Sequence, residues 1–358
     1  MERLHIAFFG PVNSGKSTLV NAICGQEVSM VSSIPGTTTD PVRKNAEIPG
    51  LGACLLIDTA GLDDAGLLGP ERRRRTLAVL DEADIAVVLE PAGVPELMKD
   101  LKAAGIPSVP YRRGESVESL IQRLAEAAPK EEKRFLTGRL VKPGDCVLLV
   151  MPQDSEAPKG RLILPQVQVL RELLDRGCNA LCCTPDSLQA ALGRVRPDLV
   201  ITDSQVFGPV NRALSPDIPL TSFSVLLAAS KGDIGLFAEG AGAIDRLQPG
   251  SRILIAEACT HVPDTEDIGR VKIPALLRKR AGDIQVDVAA GNDFPEDLSP
   301  YSLIIHCGAC VATRTLVQAR IKKALRAGVP ITNYGMALAK LTGILDRLEI
   351  PGQAGDDS

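Results

Sequence analysis

The sequence contains no tryptophan, and aromatic residues make up only 3% of its 358 residues. Proteins that hold single-stranded nucleic acid stack bases on aromatic side chains, so this scarcity argues against such a partner. The formal net charge of −4 also gives no basic surface for nucleic acid or for an anionic membrane. No apolar run reaches the roughly 18 to 20 residues that a bilayer-spanning helix needs. We therefore expect neither a nucleic-acid nor a membrane partner.

A secretory signal pattern is also missing from the start of the sequence, although there are nine cysteines. Without such a signal, disulfides are not expected, and clustered cysteines indicate metal or redox chemistry in a reducing compartment. We therefore expect a cytoplasmic protein. Six cysteines have no paired ligand spacing and are expected to be buried core thiols: Cys24, Cys54, Cys146, Cys178, Cys182 and Cys183.

Short aliphatic runs alternate with amphipathic helical patterns, which predicts an α/β fold of three consecutive parallel-sheet domains. The predicted domains cover residues 1–128, 134–222 and 223–358. The second has three predicted strands, at 146–151, 180–184 and 199–204. A three-stranded sheet is small, so we expect this domain to pair with another subunit in a homodimer.

The first domain begins with a strand, a glycine-rich loop and a helix, and the loop fits the phosphate-binding pattern GxxxxGKS from Gly10 to Ser17. Backbone N–H groups of such a loop surround phosphates, while its lysine neutralises charge and its serine hydroxyl reaches Mg²⁺. The candidate nucleotide-binding residues here are Gly10, Asn13, Ser14, Gly15, Lys16, Ser17 and Thr18.

Two later motifs follow in the order that a nucleotide site requires. Asp58 follows the predicted strand 54–57 and opens D-T-A-G, where Asp58 can hold Mg²⁺ through water and Gly61 can donate its N–H to a γ-phosphate. Thr38 lies in P-G-T-T-T-D, where a switch loop would close on the metal. Together these motifs resemble the TRAFAC-class GTPases of the Era/MnmE-like branch. The resemblance implies Mg²⁺ with GTP, and Asn13 matches the asparagine that helps to hold K⁺ in potassium-dependent members.

The motif N-K-x-D, whose aspartate reads guanine in such GTPases, occurs nowhere in the chain. About one strand and one helix are missing from the domain, so we predict a truncated P-loop GTPase-like domain. A lost bidentate base contact leaves polar groups unpaired. We therefore expect weak nucleotide binding with poor guanine selectivity.

The chain has only three histidines, and two of them lie close to cysteines, in C-T-H (Cys259, His261) and H-C-G-A-C (His306, Cys307, Cys310). Cys259 and Cys307 each follow a predicted parallel strand, so both are expected at the carboxyl edge of one sheet. Cys310 is expected in the first turn of the next helix, where a thiolate is favoured. Three readings remain open: a redox dithiol, a zinc ion on three cysteines and a histidine, and a 4Fe–4S cluster with an exchangeable fourth ligand.

Several longer stretches resemble the FeFe-hydrogenase maturation GTPase family HydF: residues 157–168, 199–207, 220–224, 267–274, 301–310 and 328–337. The resemblance implies a GTPase domain, a dimerisation domain and a cluster-binding domain, with a 4Fe–4S cluster on Cys259, Cys307 and Cys310. It implies a scaffold that receives a diiron precursor from radical-SAM maturases and delivers it to the FeFe-hydrogenase apoenzyme. His261 and His306 match motif histidines, and the fourth cluster ligand stays open.

Two other functions compete with a scaffold that carries a degenerate nucleotide domain. One is a working P-loop GTPase whose cysteine site holds structural zinc. The other is a nucleotide-independent scaffold whose first domain only docks a partner.

Overall fold

A computed structural model describes residues 3–25, 41–62, 76–129, 135–153, 160–258, 267–291, 293–310 and 312–352. The chain divides into two compact units, Met1–Glu132 and Lys133–Ser358. The predicted α/β class is confirmed, because helices alternate with the strands of three sheets.

The first unit is built on a five-stranded sheet in the order β2-β3-β1-β4-β5. Only β2 is antiparallel, and it pairs with β3. Strand β4 is entirely buried, as expected for a parallel strand with chain packed on both faces. The strands are β1 (Leu4–Phe9), β2 (Val42–Ile48), β3 (Gly52–Asp58), β4 (Ile85–Leu89) and β5 (Ser108–Tyr111), and the helices are α1 (Lys16–Ile23), α2 (Pro95–Ala104) and α3 (Val117–Ala127).

The second unit contains two four-stranded parallel sheets. The first has the order β7-β6-β8-β9, so the expectation of three strands was wrong. The extra strand, Leu220–Ser222, has only three residues, too few to show a periodic pattern in the sequence. The strands are β6 (Cys146–Val150), β7 (Asn179–Cys183), β8 (Leu199–Thr202) and β9 (Leu220–Ser222), and the helices are α4 (Leu164–Asp175), α5 (Leu188–Leu192) and α6 (Phe207–Ala213).

The last sheet has the order β11-β10-β12-β13, and all of its pairings are parallel. Its strands are β10 (Arg252–Glu257), β11 (Gln285–Ala290), β12 (Leu303–His306) and β13 (Ile331–Asn333), and its helices are α7 (Phe223–Lys231), α8 (Ile234–Gly242), α9 (Ile273–Ala281), α10 (Arg314–Arg326) and α11 (Tyr334–Leu341). Phe207, before this sheet begins, shares one apolar core with Leu254 and Ile304 of the sheet. The two α/β modules that were predicted as separate domains therefore pack as one unit.

Among the helices that the structure describes, none combines the length and apolar character required to cross a bilayer.

Candidate functional site

The phosphate loop connects β1 to α1, and its backbone takes the turn that the glycine pattern predicts. Gly15 has a φ of 94°, a left-handed conformation that favours glycine, and α1 begins at the next residue. The Lys16 ammonium lies inside the loop and donates to Pro11 O at 2.7 Å and to Gly10 O at 3.1 Å. The loop therefore holds a buried cation next to a helix N-terminus, which is the arrangement that binds phosphate oxygens.

Ser17 and Asp58, the two predicted magnesium contacts, meet in the structure. The Ser17 hydroxyl donates a hydrogen bond to the Asp58 carboxylate, and burial raises the pKa of Asp58 above its usual value. Asp58 Oδ1 is buried without a hydrogen-bond partner within the described ranges. A buried carboxylate oxygen beside a hydroxyl fits a divalent cation, since Mg²⁺ is held by oxygen ligands.

Gly61 lies directly against the phosphate loop. A Cβ built on Gly61 would fall 2.7 Å from the backbone nitrogen of Val12, so no side chain fits there. Asn13 is exposed and has a φ of 60°. Ser14 is buried in the loop, whereas Thr18 is exposed on α1. Thr38 falls outside the described residues.

Strand β5 is the last strand of the first sheet in the part of the chain that is described, and it pairs directly with β4. The turn that follows β5 is closed by Glu115, whose carboxylate accepts from Arg112 N and from the Arg123 guanidinium. The Tyr111 hydroxyl donates to Glu115 O at 2.9 Å. The turn after β5 therefore holds its own polar groups and contains no asparagine or aspartate to read a guanine edge.

Cys307 lies at the carboxyl edge of the last sheet, directly after β12. Its Sγ accepts the N–H of Ala258 at 3.1 Å and the N–H of Ala309 at 3.4 Å. Two backbone donors aimed at one sulfur favour the thiolate, the form in which cysteine binds metals. Ala258 follows the neighbouring strand β10 and directly precedes Cys259 in the sequence, while Cys259 and His261 themselves lie outside the described residues.

The expectation that Cys310 starts a helix was wrong. Helix α10 begins at Arg314, because the Thr313 side chain accepts the N–H of Leu316 and caps the helix there. Cys310 therefore lies in the loop between β12 and α10. Among the residues that the structure describes, no group of three or more His, Cys, Asp or Glu side chains is placed to hold a metal ion.

His306 is a buried core residue rather than an available ligand, although its position next to Cys307 suggested one. Its side chain is 1% exposed, Nδ1 hydrogen-bonds to Cys307 O at 2.9 Å, and Nε2 accepts from Arg320 Nη1 at 3.1 Å. Burial, and then the charge of Arg320, lower the pKa of His306 to about 3. Both ring nitrogens are occupied, so in this structure His306 has none left for a metal.

Sequence reasoning missed three buried charged residues around this edge. They are Arg320, Glu257 and Lys231. Arg320 also donates to Glu257 O, and the Glu257 carboxylate accepts hydrogen bonds from Nε and Nη2 of Arg270. Lys231 ends α7 and donates to the loop that carries Cys310. One signal for Lys231 was present: it is the only charged residue in the otherwise apolar and hydroxylic helix 223–231.

Family models match three segments of this chain. The hydrogen maturase F dimerization domain matches residues 136–232, and the hydrogen maturase F tetramerization domain matches residues 235–350. A 50S ribosome-binding GTPase model matches residues 5–112. The first two models together cover well over half of the chain, and the third covers the phosphate loop and β1–β5.

Curated relatives of this chain match about a third of its length. The tRNA modification GTPase MnmE of Xanthomonas euvesicatoria is 38% identical over 108 residues, and that of Xylella fastidiosa is 40% identical over 108 residues; each match covers 30% of this chain and 24% of the relative. The chain thus spans about a quarter of the length of these relatives.

Solved structures also resemble part of the chain. The match to a structure of Aquifex aeolicus Era bound to GDP·AlF4− covers 51% of this chain and 93% of the Era chain, with 18% identity and a TM-score of 0.28. The match to NFeoB from S. thermophilus bound to GDP·AlF4− and K⁺ covers 35% of this chain and 62% of the NFeoB chain, with 17% identity and a TM-score of 0.23.

Proposed function

The chain belongs to the hydrogenase maturase F family, and from that premise we propose that it is a scaffold of FeFe-hydrogenase maturation that binds a 4Fe–4S cluster and carries a diiron precursor. The observation that supports this proposal most is the environment of the Cys307 sulfur. It receives two backbone N–H groups at the sheet edge where α/β folds hold ligands.

The residues at this edge fit an iron–sulfur cluster. Cys307 and Cys310 lie in one loop after β12, and Cys259 follows Ala258, the residue whose N–H reaches the Cys307 sulfur. Three thiolates would hold three irons and leave one iron with an exchangeable ligand. The bound cluster would supply that open coordination position, to which a cargo can attach and from which it can be released.

The protein's own contribution is to keep the cysteine loop in place. Cys307 N donates to Ala256 O at 2.9 Å, which continues the β10–β12 pairing beyond the last strand residue. His306 donates its Nδ1 hydrogen to Cys307 O, since Nε2 accepts from Arg320. We accordingly assign His306 a supporting role and leave His261 as a candidate for the fourth position.

Anaerobic reconstitution with iron and sulfide, followed by metal analysis and EPR of the reduced protein, tests the cluster. We expect about four irons per chain and a cluster signal that Cys307→Ser abolishes. Cys182→Ser is the matched control, because Cys182 is exposed on β7, outside this edge. One tightly held zinc with no cluster signal would defeat the scaffold and support the competing function, a P-loop GTPase with a structural zinc site.

We propose that the first unit binds GTP with Mg²⁺ weakly and with little guanine selectivity. Lys16, Ser17 and Asp58 supply the phosphate and metal half of the site. The base-reading half lacks N-K-x-D, and the turn after β5 is closed on Glu115. A K⁺ ion near Asn13 and a contact from Thr38 remain predictions, which titration with GTP in K⁺ or Na⁺ buffer checks.

Lys16→Ala separates a nucleotide-dependent scaffold from one whose first unit only docks a partner. Loss of hydrogenase maturation in this variant supports a role for the nucleotide, whereas unchanged maturation supports docking alone. The proposed partners in that assay are the FeFe-hydrogenase apoenzyme and the radical-SAM maturases, and the proposed compartment is the cytoplasm.

We propose that the second unit forms a homodimer through its dimerization domain. Helix α4 leaves an apolar face exposed, with Leu164, Val167 and Leu174 at 43%, 46% and 52%. Their spacing places them on one side of the helix. Leu174→Glu should therefore shift the sedimentation profile toward monomer, while Leu325→Glu, an equally exposed position on α10, should not.

A further inference from the structure

The side chain of Lys231 is buried beneath the loop that carries Cys307 and Cys310. Lys231 is 3% exposed, and its Nζ donates to Ala309 O at 2.7 Å, to Ala312 O at 2.8 Å and to Cys310 O at 3.4 Å. A lysine ammonium has three hydrogens, so it can donate to several carbonyls of this loop at once. Lys231 itself is held in place, because Gln318 Nε2 on α10 donates to its backbone carbonyl at 3.0 Å.

The loop above Lys231 has an unfavourable backbone conformation. Ala309 has a φ of 52°, a left-handed value that costs a residue with a side chain about 1 kcal/mol or more. This conformation turns the carbonyls on both sides of Cys310 toward one point. Their convergence on a cation offsets the strain, since hydrogen bonds to charged groups contribute about 1.5–3 kcal/mol.

Because these carbonyls point toward Lys231, the N–H groups of the same peptides point away from it. In a trans peptide the C=O and N–H point in opposite directions. The N–H groups of Cys310 and Thr313, which share peptide planes with Ala309 O and Ala312 O, therefore face away from Lys231. Ala309 N already donates to the Cys307 sulfur. The face of the loop opposite Lys231 thus presents the positive ends of these two peptide dipoles, whereas Ala312 N donates to Ala309 O at 3.2 Å.

We infer that Lys231 is a positioning residue of the cysteine site, which orients the loop after Cys307 so that the N–H groups of Cys310 and Thr313 face an anionic iron–sulfur cluster. The inference rests on the proposed cluster function. N–H groups directed at cluster sulfurs, together with a nearby cation, stabilise the more negative, reduced state. The protein's part is to hold these dipoles before the cluster arrives, so that little reorganisation is needed when it binds.

Hydrogen exchange on the metal-free, full-length protein tests the orientation without any cluster. In Lys231→Met, which keeps the stem but removes the donors, peptides spanning 307–313 should exchange at least about tenfold faster. Lys322→Met removes the same charge from an exposed position on α10 and should leave this loop unchanged. If Lys231→Met folds poorly, Lys231→Gln, which retains N–H donors without the charge, should give a smaller increase.

The reconstituted protein gives a second readout. Lys231→Met should lower the cluster reduction potential and speed the loss of iron to a chelator, and Lys231→Arg should restore both in large part. Unchanged exchange in Lys231→Met would overturn the inference. Faster exchange with an unchanged potential would overturn the link between loop orientation and cluster. Failure of the wild-type chain to take up iron would instead defeat the proposed function. The two failures can be told apart, because the exchange comparison is made on the metal-free protein.

Discussion

Replacing Arg320 with methionine should destabilise the last sheet more than any exposed arginine change. Arg320 is 1% exposed and donates to Glu257 O and His306 Nε2, each at 3.1 Å, and also to Gly291 O. Its guanidinium lies 4.9 Å from the centroid of the Phe294 ring. The side chain therefore joins the ends of β10, β11 and β12 at the edge where the cysteines lie.

The expected loss of stability follows from the hydrogen-bond acceptors that the substitution leaves without a donor. Two buried acceptors and the part-buried Gly291 O lose their donor at about 1 kcal/mol or more each, and the cation–π contact adds about 0.5–1 kcal/mol. Folding of the methionine variant no longer removes a charged guanidinium from water, and this offsets part of the loss. We expect a net loss of about 3 kcal/mol in the free energy of opening, or roughly a hundredfold faster hydrogen exchange in the peptides of β10 and β12.

Arg252→Met provides the matched control on the same sheet. The Arg252 side chain is 43% exposed and pairs with Asp287 at 2.7 Å, so its removal should cost less than about 1 kcal/mol. If Arg320→Met changed the exchange of β10 and β12 no more than Arg252→Met does, Arg320 would not stabilise this edge through its acceptors.

Three other predictions concern the nucleotide site, the second unit and a buried thiol. Titration calorimetry should give GTP and ATP dissociation constants within about tenfold of each other, and strong GTP selectivity would contradict this. Glu172→Gln should cost about 1–2 kcal/mol and speed exchange at Thr137, whose N–H and hydroxyl both donate to that carboxylate, whereas Asp175→Asn, in an exposed ion pair, should not. Burial, with a smaller effect of Glu47, raises the pKa of the Cys54 thiol from an ordinary 9.0 to about 11. Because the folded pKa is the higher one, the stabilising contribution of the Cys54 thiol is fully present below pH 9 and is lost as the pH rises from 9 to about 11. In a thermal unfolding series over that range, the stability of Cys54→Ala should decline less steeply than that of the wild type, and equal slopes would contradict this prediction.

Much of the fold was readable because its signals are local. The phosphate loop was predicted from eight consecutive residues, and the structure places Lys16 in the loop and Ser17 beside Asp58. The long buried strands were also predicted from their apolar runs. Strand Leu220–Ser222 was not recognised as part of the second sheet, because three residues are too few to show a period and pairing with β8 defines it.

The cysteine site was only partly readable. The spacing of Cys307 and Cys310 indicated a ligand pair, and the parallel strands predicted the sheet edge. The role of His306 was not readable, because its ring is engaged by Arg320, fourteen positions later in the chain. The start of α10 was predicted too early, because the apolar residues before Thr313 extend the helical pattern, whereas the Thr313 side chain caps the helix. Among the other cysteines, Cys54 and Cys178 are buried as expected, but Cys182 is exposed.

Local sequence patterns were enough to establish the α/β class, the phosphate loop, the missing N-K-x-D motif and the cysteine spacing, since each depends on residues close together in the chain. Long-range contacts, in contrast, establish that the second and third modules pack as one unit, that His306 is a buried acceptor, and that Lys231 supports the cysteine loop. Those outcomes depend on burial and on hydrogen bonds between distant residues. Lys231 and Ala309, for example, meet because α7 packs against the loop before α10, a contact that no local pattern encodes.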